Sequence, residues 1–169
     1  MKKLKILILI MLVTASGALY AQEKKSRKER RQEQVEKVQK MIEAQDYNFV
    51  ARQAIPMSMQ SVNLTSEYDL CVSNDTITAY LPYFGRSYSA PFNPAEGGIK
   101  FESKDFVYRL ENAKKGGWIA HFAIKDAKRH INMVLHISTS GSASLSVNDD
   151  TRQTITFNGY IGERKRSDI

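Results

Sequence analysis

The sequence predicts a mainly β domain: an antiparallel meander, closed either as a sandwich or as a partly closed barrel, with one N-terminal α-helix. Two observations carry this. Beyond residue 47, short runs alternate apolar and polar side chains and are separated by turn residues, with no helix-period segment between them. Before residue 47, a stretch of Glu, Lys, Gln and Arg runs from 23 to 46 without Gly or Pro, which is helix-forming composition. Short strands at near-regular spacing suit a sandwich or a curled sheet, and the pattern alone leaves both open.

In chain order, Lys2, Lys3 and Lys5 precede an apolar run from Ile6 to Val13 and then the small residues Thr14 to Ala18. This is the layout of a signal peptide over residues 1–21, with Ala21 as the last residue before cleavage. The run is too short to span a bilayer, so no transmembrane segment is expected in the mature chain. The expected location is periplasmic or extracellular. Residues 22–46 form the basic helix or arm. Its apolar stripe begins only at Val35 and continues through Val38 and Met41 or Ile42, until Gln45 breaks it.

The β domain is expected over residues 47–161, with a polar tail at 162–169. Tyr47 to Met59 reads as the first strand, with Pro56 placing it at an edge or ending it. Tyr68, Leu70 and Val72 alternate before Asn74-Asp75, and Ile77, Ala79 and Leu81 resume the pattern. This predicts a hairpin pairing Val72 with Ile77, Leu70 with Ala79 and Tyr68 with Leu81 through a type I′ turn. After a long segment from 82 to 98, strands are predicted at 99–102, around Phe106 to Leu110, and from Trp118 to Ile124. Further strands follow from Ile131 to Ile137, Ala143 to Val147 and Ile155 to Ile161.

Charge excludes a nucleic-acid reader. The formal charge is +7 over 169 residues. Three of these charges leave with Lys2, Lys3 and Lys5. Residues 23–40 hold eight Lys/Arg against four Glu and account for the other four. Residues 41–169 carry fourteen charges of each sign, so the β domain lacks the basic groove that nucleic acid requires. Cys71 is the single cysteine, which rules out an internal disulfide and lacks a nearby histidine to activate it as a nucleophile.

The catalytic and metal motifs fail in the same way. There is no Gly-x-Ser-x-Gly elbow, phosphate loop or metalloprotease signature. Asp149-Asp150 reads as turn chemistry. If Ala127 to His130 is a four-residue loop, His121 lies across from His136. Extending that register meets Arg109 on one side and Ser146 and Thr156 on the other, so no third ligand completes a zinc site. The chain is therefore expected to be no enzyme and to hold neither metal nor cofactor.

What remains is the stretch Leu81-Pro82-Tyr83-Phe84-Gly85-Arg86-Ser87-Tyr88 and the loop after it. Long loops in compact domains tend to carry function. Tyr83, Phe84, Tyr88 and Phe92 bring four rings into it, which either plug the end of the sheet as a small core or line a concave site. In the second case Arg86 is the polar handle for a carboxylate or phosphate-like group. The candidate ligand-binding set is thus Tyr83, Phe84, Arg86, Tyr88 and Phe92. The expected partner is an unidentified small molecule or glycan. The alternative is a structural or interaction protein of the cell envelope, acting through the basic helix.

The run from Leu81 to Pro91 resembles the hallmark of the domain-of-unknown-function 4251 family of exported bacterial proteins. Gly97-Gly98-Ile99-Lys100-Phe101, Gly116-Gly117-Trp118, Leu145-Ser146-Val147, Arg152-Gln153 and Asn158-Gly159 fit the same resemblance, which extends from about Met41 to Ile161. It implies an exported, mostly β domain and transfers no catalytic residue.

Overall fold

The computed structural model describes residues 26–88, 97–125 and 130–164. The chain divides into a unit ending at Gln32 and a unit from Glu33 onward. Helix α1 spans Arg27–Glu43. It opens with a capping box: the Ser26 amide donates to the Glu29 carboxylate (2.8 Å) and the Glu29 amide to the Ser26 hydroxyl (3.2 Å). It closes at Gln45, which takes φ +48°, while the Asp46 amide reaches back to the Met41 carbonyl. From Val35 the expected stripe is observed. Val38 and Ile42 are buried, with Val35 and Met41 packed beside them.

Nine strands follow: β1 (Tyr47–Pro56), β2 (Val62–Val72), β3 (Ile77–Leu81), β4 (Ile99–Ser103), β5 (Phe106–Asn112), β6 (Trp118–Ile124), β7 (Ile131–Ile137), β8 (Ser142–Asp149) and β9 (Ile155–Gly162). All pairings are antiparallel, in the order β4-β3-β2-β1-β9-β8-β7-β6-β5. The sheet is a nearly closed barrel, which decides between the two expected closures. Tyr47 of β1 and Tyr108 of β5 stand five places apart in the strand order, yet their hydroxyls face each other inside. Burial first, and this proximity second, push the Tyr47 hydroxyl well above its ordinary pKa. Only a curled sheet brings those strands together.

The alternating residues of each strand fill the interior. Phe49, Leu70, Leu135, Leu145 and Phe157 are completely buried. The predicted β2–β3 register is observed at Val72–Ile77 and Leu70–Ala79. The turn differs from expectation. Neither Asn74 nor Asp75 takes a positive φ, so it is not type I′. Instead the Asp75 carboxylate accepts the Ser73 and Thr76 hydroxyls (3.0 and 3.1 Å), which hold the turn and lower the Asp75 pKa.

Of the two readings of Pro56 the second holds: β1 lies between β2 and β9 rather than at an edge, and Pro56 ends it, short of the expected Met59. One further expectation is corrected. The β6–β7 register places Ile124 opposite Ile131, so His121 faces Val134 and His136 faces Ile119. The connection from 125 to 130 is longer than the four residues assumed, which slides the pairing by two and separates the two histidines.

Candidate functional site

After Leu81 the chain leaves the sheet at Pro82. Tyr83 and Phe84 are half-buried and pack on the core. Gly85 then takes φ +152°, a region that side chains disfavour, and turns the backbone under the Tyr83 ring. Residues 86–88 run antiparallel to 151–153. The Gln153 amide donates to the Arg86 carbonyl (3.1 Å) and the Tyr88 amide to the Thr151 carbonyl (2.8 Å), around a bridge between Ser87 and Arg152. The loop is thereby joined to the β8–β9 connection as a short added strand.

Beneath this seam lies a charged cluster that the sequence did not reveal. Arg152 is 5% exposed. Its guanidinium donates to the carbonyls of Gly97 (3.0 Å) and Gly98 (3.1 Å) and lies 4.9 Å from the centre of the Tyr83 ring. Its Nε sits 3.9 Å from the Asp149 carboxylate, beyond hydrogen-bond distance, so that pairing is Coulombic. Asp149 is equally buried and accepts the Thr151 amide (3.0 Å) and hydroxyl (2.7 Å). The opposite charges at i and i+3 around a turn were visible in the sequence. The reach of Arg152 to Gly97 and Tyr83, far away along the chain, was not.

The cluster sorts the predicted residues. The Tyr83 hydroxyl faces the carbonyls of Arg86 (2.7 Å) and Gln153 (3.1 Å) as their donor, and burial raises its pKa so that it keeps the proton. Tyr83 is a pin, and Phe84 packs with it. Tyr83→Phe is expected to lose about 1 kcal/mol, the usual net value of such a bond, measured by urea unfolding. An unchanged midpoint would remove the hydroxyl from this role. Arg86 and Tyr88 point the other way. Tyr88 is 71% exposed, and the Arg86 side chain makes no hydrogen bond or ion pair among the described residues. Phe92 lies outside the described residues.

Among the described residues no group of three His, Cys, Asp or Glu side chains is placed to hold a metal. Arg109 pairs directly with His121, as the sequence predicts. His130 lies beside the β8–β9 connection, its Nδ1 at 3.1 Å from Asp150, whose carboxyl pKa this bond lowers.

The family model described as "Domain of unknown function (DUF4251)" matches residues 29–161. The chain is also similar to a crystal structure of a DUF4251 family protein from Bacteroides eggerthii DSM 20697, with a TM-score of 0.57 and 15% identity, over 77% of this chain and 87% of that one. Likeness at that identity concerns the fold. A search of curated proteins found no match.

Proposed function

The chain belongs to the DUF4251 family, and from that premise we propose an exported, non-catalytic binding module whose contact surface is the loop after β3. The observation that supports this reading is the division of labour in that loop. Tyr83, Arg152 and the backbone bonds at 86–88 fix the chain, and the fixed backbone presents an exposed guanidinium and an exposed phenol side by side. A surface held in place before contact gives up little entropy on binding. Tyrosine offers a rigid amphipathic face, and arginine forks onto a carboxylate, a phosphate or vicinal hydroxyls. The ligand class is therefore a small anionic or polyhydroxylated molecule, a glycan included.

Arg86→Ala and Tyr88→Ala are each expected to leave stability within about 0.5 kcal/mol, as for exposed side chains without partners. Each should abolish the rise in melting temperature that a bound ligand produces in the unaltered protein. A thermal-shift screen against acidic and neutral oligosaccharides, run on the three proteins together, reads both quantities. Ligands that stabilise all three equally would remove the loop from the function.

A further inference from the structure

A second feature lies on the outer face of the sheet, across β5, β6 and β7. The outward rows there are Val107–Ala123–Asn132 and, next to it, Arg109–His121–Val134. Ala123 is the smallest member, and the side chains around it stand higher. The result is a hollow of about 230 Å³ lined by Val107, Arg109, Glu111, His121, Asn132 and Val134, with Ala123 as its floor. At liquid-like packing that is room for roughly seven heavy atoms.

The chemistry of this rim is specific. Arg109 lies directly across from His121, and it makes no ion pair or hydrogen bond among the described residues. Glu111, the one acid, shares the rim but is turned to His121 at 4.0 Å, and Arg109 has no carboxylate within ion-pair distance among the described residues. The Asn132 side chain is exposed and makes no hydrogen bond among the described residues. Val107, which is 43% exposed, stands beside Arg109 on β5, and Val134 stands beside Asn132 on β7, so aliphatic surface lies at two opposite corners of the hollow. Glu111 is engaged by His121 at the other end of the rim, so an anion enters at Arg109, where it meets a planar fork, and an aliphatic body on that anion would cover Ala123 and the adjoining Val107.

We infer that this hollow is a binding site for a small organic carboxylate with a short branched or straight aliphatic body. It is separate from the loop after β3 and does not depend on that loop's role.

The test is an NMR titration of the whole β domain with its N-terminal helix, following the Arg109 Nε–H, Asn132 side-chain amide and His121 ring signals. The probes are isovalerate (seven heavy atoms), inorganic phosphate (an anion without the body) and 3-methyl-1-butanol (the body without the anion). Isovalerate is expected to give saturable shifts at these three residues, with a Kd on the order of millimolar, as suits so small a ligand. Phosphate and the alcohol should each bind at least tenfold more weakly. Arg109→Gln should remove the saturation by removing charge, and Ala123→Leu should remove it by filling the hollow with charge unchanged. Both positions are on the outer surface, and unchanged unfolding midpoints would confirm that the two variants are folded. Absence of saturation with isovalerate, equal affinity for phosphate, or binding that survives Ala123→Leu would each overturn the assignment.

Discussion

Arg152→Leu is expected to lower the stability of the β domain by roughly 3–5 kcal/mol, the cost of leaving a buried partner charge uncompensated. The guanidinium is 5% exposed and joins three separate parts of the chain: the Gly97 and Gly98 carbonyls before β4, the Tyr83 ring after β3, and Asp149 at the end of β8. Leucine fills part of the volume but leaves two carbonyls without their donor and a carboxylate without its countercharge. For a domain of this size the loss is on the order of 10 °C in melting temperature. The double variant Asp149→Asn, Arg152→Leu should recover part of that loss, because the uncompensated charge goes with the acid. Urea unfolding of the two singles and the double gives the coupling. A single-variant loss below about 1 kcal/mol would show that the cluster does not anchor the loop.

Gly159→Ala should do comparable damage for a different reason. Gly159 on β9 pairs with Ala51 on β1, next to the irregularity between Ala51 and Gln53. There the β1 backbone comes so close that an added Cβ would overlap the Val50 carbonyl oxygen and lie 2.9 Å from its carbon. These are backbone atoms at the centre of the strand order, and no side-chain rotation relieves the contact. Separating β1 from β9 would open the barrel between its two halves. We expect a loss of roughly 3 kcal/mol or more, at or above the upper end for overpacking, and a sharp fall in soluble yield. An alanine variant with an unfolding midpoint near that of the unaltered protein would mean that β9 can shift along β1 without harm.

The strands that were legible in the sequence are those in which one face is buried. Trp118–Ile124 and Ile131–Ile137 were read with the bounds observed, because a period of two in burial writes itself directly into the residue order. The first half of β2 was not legible. After Leu64, residues Thr65 to Glu67 are all exposed, so no alternation marks them, and they fall in the irregularity where the β1 partner jumps from Tyr68 to Asn63; pairing with β1 resumes only at Asn63 and Val62. The β6–β7 register failed for a related reason. Hydrophobic alternation fixes which face a residue takes but not by how many pairs two strands are offset, and a slide of two keeps every face.

The candidate site divides in the same way. The density of rings and glycine between Leu81 and Tyr88 marked the loop in the sequence, and Arg86 and Tyr88 are exposed there. That Tyr83 serves as an internal pin follows from a donor–acceptor geometry joining residues seventy positions apart.

By itself the sequence determined the inward and outward residues of most of the strands, the apolar stripe of the helix, the neutrality of the β domain and the position of its ring-bearing loop. All of these depend on composition and short-range periodicity. Tertiary structure alone decided that the sheet curls until Tyr47 meets Tyr108, that Arg152 is buried beneath the loop, and that Arg109 and His121 stand over a hollow. Each of these depends on strand offset and curvature, which set contacts between distant residues and leave no local trace in the chain.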